Sequence, residues 1–133
     1  MSKLVITGGT GMVGSAFKHA LPEAEYPNRI QLEDMVRNAF YKESFADKQI
    51  IHLAAKVGGV KANIEQVANF YMENANLNER LLYSAHRSGA NKVISLLSTC
   101  VYPDAPYVTY PLTEDQLHMG PPHSSNYGYA YAK

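Results

Sequence analysis

Leu4-Val5-Ile6-Thr7-Gly8-Gly9-Thr10-Gly11-Met12-Val13-Gly14 decides how the rest of this 133-residue chain is read. Three apolar residues in a row suit a short strand covered on both faces, as in a parallel sheet. Glycines follow at once in a G-x-x-G-x-x-G spacing (Gly8, Gly11, Gly14), with Gly9 in addition, and residues 12–20 then read as a helix opening from the turn. Without Cβ atoms the backbone can turn tightly and approach a pyrophosphate, whose charge is favoured at a helix N-terminus. Gly14 would let the helix pack closely on the strand. The competing reading is a tight turn that needs glycine for its own sake. The strand–turn–helix setting favours a nucleotide loop formed by Gly8, Gly9, Thr10, Gly11, Met12, Val13 and Gly14.

Outward from this loop, strands and helices alternate. Pro22 and Pro27 break the chain after the first helix. Residues 32–45 carry Met35, Val36, Ala39, Phe40 and Phe45 at roughly helical spacing, with Glu33 and Asp34 expected in the first turn. Ile50-Ile51-His52-Leu53-Ala54-Ala55 reads as a second buried strand ending at Gly58-Gly59. The clearest helix is Val67 to Arg87, whose expected apolar stripe is Val67, Phe70, Tyr71, Leu77, Leu81, Leu82 and Ala85, with Gly89 just past its end. Val93-Ile94-Ser95-Leu96-Leu97 reads as a third buried strand, and residues 102–126 as a long loop. The pattern predicts an α/β fold, a doubly wound parallel sheet in one partial domain over residues 1–133, with ligand at the carboxyl ends of adjacent strands.

One confirmation of the nucleotide loop is missing. A second strand ending in a residue that reads the ribose, about 20 positions on, is expected but not visible. Arg29 could meet a 2′-phosphate, although a solvated loop arginine is the favoured reading.

Composition narrows the class. Twelve basic and twelve acidic residues cancel, so nothing electrostatic points to nucleic acid or a membrane surface. No apolar run approaches membrane-spanning length, and the N-terminus runs into a strand without a signal-peptide core. The single cysteine, Cys100, excludes an intramolecular disulfide. A cytoplasmic protein is the expectation. No histidine pair has metal-ligand spacing and no metal is expected; His52 reads as structural, His118 and His123 as solvated.

Tyr129-Ala-Tyr-Ala-Lys133 places a phenol and an ammonium one helical turn apart. A cation there would lower the phenol pKa from its usual value of about 10, suiting proton transfer at a carbonyl or alcohol. Tyr131 competes, but only Tyr129 stands four residues before the lysine. A helix this short is marginal alone, so weak anchoring of the pair is expected. Ser98 lies where the third strand should end, and its hydroxyl could hold a substrate oxygen or simply cap a turn. Asn74, on the stripe of the long helix, reads as a satisfied core amide bracing the site.

Four stretches carry a resemblance: Gly8-Gly-Thr-Gly-Met-Val-Gly14, His52-Leu-Ala-Ala-Lys-Val-Gly-Gly59, Leu97-Ser-Thr-Cys-Val-Tyr-Pro103 and Gly120-Pro-Pro-His-Ser-Ser-Asn-Tyr-Gly-Tyr-Ala-Tyr-Ala-Lys133. The chain resembles the N-terminal part of the extended short-chain dehydrogenase/reductases, most of all the GDP-L-fucose synthases. The glycine loop and the Tyr-Lys step are generic to the superfamily, while Ala-Ala-Lys-Val-Gly-Gly and Ser-Thr-Cys are more specific. The resemblance breaks at residues 21–31, where the chain is shorter and most of the second strand is lost.

The resemblance implies a Rossmann-type domain, truncated, without the C-terminal substrate domain. It implies NADP(H) on residues 8–14, with Leu53, Ala54 and Ala55 along its adenosine side. Tyr129 would protonate the C4 oxygen during hydride delivery, Lys133 would bond the nicotinamide ribose and lower the Tyr129 pKa, and Ser98 would hold the keto oxygen. Cys100 would be the base for epimerisation at C3 and C5. A lone thiol is more often inert, but its place two residues after Ser98 reverses that preference. The substrate would be GDP-4-keto-6-deoxy-mannose. The family's acid histidine lies beyond the tyrosine-lysine step, and its usual dimer interface uses helices of this half, which admits a homodimer for the full-length proteins. Two alternatives remain: an NAD-dependent nucleotide-sugar 4-epimerase or dehydratase, and a non-catalytic truncated nucleotide-binding form.

Overall fold

The structure, a computed structural model, describes residues 3–38 and 44–133. The chain divides into two compact units, Met1–Ala55 with Glu79–Leu96, and Lys56–Asn78 with Leu97–Lys133.

The first unit is built on three parallel strands in the order β1-β2-β3: Leu4–Thr7, Gln49–His52 and Lys92–Ser95. Val5 pairs with Ile50 and Ile50 with Val93, so the apolar centres of the strands lie side by side. The first helix, α1, spans Met12–Ala20, the expected bounds. On the outer edge of β1 a second strand survives as one parallel bridge, Val5 to Glu25. Ile6 N–H donates to Glu25 O at 2.8 Å and Glu25 N–H to Leu4 O at 2.9 Å. Lys48 anchors the segment, its ammonium 2.8 and 3.1 Å from the two Glu25 carboxylate oxygens.

Helix α2 spans Arg29–Arg37, starting earlier than the apolar periodicity predicts. The cause is a capping box: Gln31 N–H donates to the Asn28 side chain at 2.9 Å, and Asn28 N–H to the Gln31 side chain at 2.8 Å. Glu33 and Asp34 therefore fall beyond the first turn. The expected continuation through Ala39 and Phe40 lies outside the described residues, and Phe45 sits in a turn rather than a helix. Phe45 is nonetheless fully buried, as are Val5, Ile6, Leu81 and Ala85, with Leu32 and Val36 nearly so. Each large side chain contributes about 1.5–3 kcal/mol on burial.

The third strand departs from expectation. It stops at Ser95, and Ile94, Leu96 and Leu97 are 45, 45 and 55 % exposed. Among the described residues β3 pairs only with β2 and is an edge of the sheet.

The long helix, α4, spans Val67–Arg87 as expected, just after the short α3 at Val60–Glu65. It ends in a Schellman arrangement: Gly89 takes φ +73°, Ala90 N–H donates to Ala85 O, and Gly89 N–H to His86 O. Its buried face is not the predicted apolar stripe. Val67, Tyr71 and Leu82 are exposed, while Asn74 and Ser84 join Phe70, Leu81 and Ala85 inside. Both polar side chains are satisfied there, Ser84 Oγ donating to Val36 O at 3.1 Å and closing the last turn of α2.

In the second unit, the expected loop after Tyr102 is organised by short 3-10 helices at Ala105–Tyr107, Glu114–His118 and Ser124–Asn126, following one at Thr99–Val101. The last element, α5, spans Tyr127–Ala132. It is anchored by tertiary contact rather than by its own length. Asn78 Nδ2 donates to Ala132 O at 2.7 Å, and a Cβ on Gly128 would lie 2.0 Å from Val67 O, so α5 seats directly on the start of α4.

Candidate active site

In the first unit the glycine loop is shaped by what each missing Cβ would strike. Gly8 has φ +76°, and a Cβ there would come within 2.8 Å of Ala54 N. A Cβ on Gly14 would sit 2.2 Å from Gly8 O, so α1 packs on its own loop. Gly11 differs: a side chain there would meet nothing closer than Gly8 O at 3.4 Å. Glycine at position 11 is therefore not demanded by the protein's own packing and leaves room for a ligand. No side chain caps α1, Gly11 being its N-cap. The donor groups of its first turn remain available for a phosphate. These features fit a dinucleotide pyrophosphate.

Thr7, which the sequence reading passed over, joins the two loops. Its Oγ1 accepts from Leu53 N–H at 3.2 Å and Ala54 N–H at 3.1 Å. With both lone pairs used, its hydroxyl proton goes to buried His52 Nδ1 at 2.7 Å, which puts the imidazole proton on Nε2. His52 is structural, as expected. Leu53 and Ala54 are thereby held against Gly8, as a cofactor-lining segment requires; Ala55 follows them, half-buried. A threonine ending an apolar strand next to glycine was the available signal. Arg29 lies at the start of α2, with its side chain 87 % exposed and paired to Glu33, the bland reading.

The second unit brings together the other candidates. Ser98 caps the 3-10 helix Thr99–Val101, its Oγ accepting from Cys100 N–H at 3.3 Å, three residues beyond the end of β3. The turn that carries Ser98 and Cys100 packs against α5. Tyr129 responds to both: burial raises its phenol pKa, the charge of an ionised Cys100 raises it further, and a hydrogen bond with the Ser98 side chain opposes them. The net direction is upward from the ordinary tyrosine value.

This corrects the expectation that Lys133 lowers the Tyr129 pKa. Burial instead pushes the Lys133 ammonium pKa down, and that lysine is not among the influences on the phenol. Helical spacing puts the two on one face, but desolvation dominates the electrostatics. Tyr131 is 62 % exposed and stacks on Tyr127 at 5.7 Å, which removes it as a competitor.

Asn74 braces this unit as expected. It is buried; its Oδ1 accepts from Lys56 N–H at 2.8 Å, and Nδ2 donates to Lys56 O at 3.0 Å and Phe70 O at 2.8 Å. Among the solvated histidines, His118 is exposed, and His123 Nδ1 lies 2.8 Å from Ser125 Oγ.

A parallel sheet whose first strand runs through a glycine loop into a helix, with a serine-tyrosine pair in the same chain, defines a Rossmann-type dinucleotide-binding protein. Residues 4–133 match the epimerase family, described as the NAD dependent epimerase/dehydratase family, and the chain belongs to it. It is 41 % identical over 143 residues to a probable GDP-L-fucose synthase of Drosophila melanogaster, covering 100 % of this chain and 44 % of that protein. Identity to the GDP-L-fucose synthase of Dictyostelium discoideum is 36 % over 139 residues, covering 98 % and 43 %. A solved GDP-L-fucose synthetase from Naegleria fowleri bound to NADP superposes with a TM-score of 0.76 at 36 % identity, covering 100 % and 45 %. The chain thus spans less than half the length of these relatives.

Proposed function

We propose that the polypeptide carrying this sequence converts GDP-4-keto-6-deoxy-mannose to GDP-L-fucose by 3,5-epimerisation and NADPH-dependent 4-keto reduction. The observation that carries the reading is the convergence of Ser98, Cys100 and Tyr129. A hydroxyl, a thiol and a phenol acting on one another are what a ketone needs in order first to lose its α-protons and then to be reduced. The Cys100 thiolate would take a proton from the carbon next to the ketone while Ser98 and Tyr129 donate hydrogen bonds to the carbonyl oxygen, where negative charge gathers; an acid outside these residues would return a proton to the opposite face of that carbon, inverting it and restoring the ketone. Tyr129 then gives its proton to that oxygen as C4 is reduced. A phenol is protonated at neutral pH, as a general acid must be. Residues 8–14, with Leu53, Ala54 and Ala55, would hold NADP(H), which supplies the hydride when bound; Lys133 would bond its ribose. We place this chemistry in the cytoplasm; among the described residues no helix is long and apolar enough to cross a membrane.

The test uses the longest natural polypeptide that carries this sequence. Solvent deuterium entering C3 and C5 reads the epimerisation, and loss of NADPH absorbance reads the reduction. Cys100→Ala is expected to stop the exchange, and Tyr129→Phe to stop reduction while a slower exchange continues on the Ser98 hydrogen bond alone. A keto-sugar that neither exchanges nor oxidises NADPH overturns the proposal. Gly11→Val is expected to abolish NADPH binding with the circular dichroism unchanged; retained affinity would make the loop only a turn.

A second reading concerns residues 1–133 as a separate polypeptide, which span only 44 % of the Drosophila melanogaster relative. Alone, that form is expected to bind dinucleotide without turnover. Turnover by the purified 133-residue chain that Tyr129→Phe abolishes would refute this.

A further inference from the structure

We infer that Lys18 selects NADPH over NADH by contacting the 2′-phosphate, a role that rests on the dinucleotide reading of the glycine loop. In this fold an acidic side chain at the end of the second strand accepts from the ribose 2′-hydroxyl and repels a phosphate there, while a cation nearby welcomes it. Here that strand is reduced to the Glu25 bridge, and the Glu25 carboxylate is held by Lys48. Tyr26, Pro27 and Asn28 follow, none of them acidic, and the Asn28 side chain caps α2. Nothing at the strand's end is left to favour a bare 2′-hydroxyl.

The Glu25 bridge also sets Tyr26 against the loop. A Cβ on Gly9 would lie 2.9 Å from Tyr26 Cδ1 and 3.0 Å from Lys18 Cε. The two side chains thus wall the Gly9 flank of the loop. The ring is tied down by its hydroxyl, which donates to Leu21 O at 3.0 Å, and the Lys18 ammonium rests 5.5 Å from the ring centroid. An aromatic face holds a cation without neutralising it. Among the described residues no carboxylate pairs with Lys18. Two other cations of this unit have carboxylate partners, Lys48 with Glu25 and the exposed Arg29 with Glu33. Burial and then the charge of Glu23 raise the Tyr26 phenol pKa, and Gly9 lies along the Cβ–Cδ1 edge of that side chain. Lys18 therefore stands beside the loop at Gly9, its ammonium over the Tyr26 ring.

The test is fluorescence titration of the protein with NADPH and NADH, and calorimetry with 2′,5′-ADP and 5′-ADP as probes of the phosphate alone. Lys18→Gln is expected to weaken NADPH and 2′,5′-ADP about tenfold, the scale of one charge-assisted contact, and to leave NADH and 5′-ADP unchanged. Lys18→Arg is expected to keep the preference. Equal affinities for NADPH before and after Lys18→Gln, or an equal loss for both dinucleotides, overturns the inference alone. Binding of neither dinucleotide by the unsubstituted protein overturns the functional reading and the inference with it.

Discussion

Removing the Asn74 amide would release the backbone of Lys56, at the centre of Ala-Ala-Lys-Val-Gly-Gly. Three hydrogen bonds are at stake: from Lys56 N–H at 2.8 Å, to Lys56 O at 3.0 Å and to Phe70 O at 2.8 Å. They are not equal. Phe70 O lies one helical turn before Asn74 and already has a helical partner in prospect, so its extra bond contributes least. The two bonds to Lys56 contribute about 0.5–1.5 kcal/mol each, and losing a buried amide adds a small cavity. Asn74→Ala is therefore expected to cost about 2–3 kcal/mol, and with roughly 2.1 cal/mol/K of unfolding entropy per residue the Tm should fall by about 7–11 °C.

Asn74→Asp sharpens the test. It keeps the acceptor for Lys56 N–H but turns a second oxygen toward two carbonyls, so it should be less stable than Asn74→Ala at pH 7. That carboxyl's folded pKa would be raised, so stability is present at low pH and lost as pH rises through the folded value. Urea denaturation followed by circular dichroism at pH 5 and pH 7 measures both effects. A loss below about 0.5 kcal/mol for Asn74→Ala, or Asp tolerated better than Ala at pH 7, would refute the assignment of the amide as a clamp.

Two further outcomes follow from α5 and its neighbours. Gly128→Ala would drive a methyl to 2.0 Å from Val67 O and should cost about 1–3 kcal/mol, whereas Gly59→Ala, with nothing within 4 Å, should lose only the preference for glycine at the N-cap of α3, about 0.5 kcal/mol; thermal melts of the two variants compare them. Ser98→Ala should raise the Tyr129 pKa further by deleting the one opposing influence, and Cys100→Ala should lower it, as read by NMR of ¹³Cζ-labelled tyrosine. Because the folded pKa is already raised, the phenol contributes stability below the ordinary tyrosine value that is lost as pH climbs through the folded one; movement of both variants in one direction would contradict the arrangement.

The local devices were open to reading from the chain. The glycine loop, α1 at Met12–Ala20, α4 at Val67–Arg87 and the Gly89 stop are set within a few residues by backbone sterics, periodicity and capping. The start of α2 was legible too, in Asn28 and Gln31, but apolar spacing drew attention to Leu32 instead. Candidate identities at Ser98, Cys100 and Tyr129 were also written in the order of residues, because Ser-Thr-Cys and Tyr-x-x-x-Lys are short-range patterns.

What the tertiary structure alone decided depends on groups far apart in the chain. Glu25 stands in for a strand only because Leu4 and Ile6 offer it a free edge. Thr7 matters only once Leu53, Ala54 and His52 arrive 45 to 47 residues later. Asn74 and Ser84 belong to the buried face of α4 because distant carbonyls and amides satisfy them, which no hydrophobic count could show. The direction of the Tyr129 pKa reversed for the same reason. Sequence spacing supplies a cation one turn away, but the energy of a charge is governed by the solvent it loses, and only the fold determines how much water is taken away.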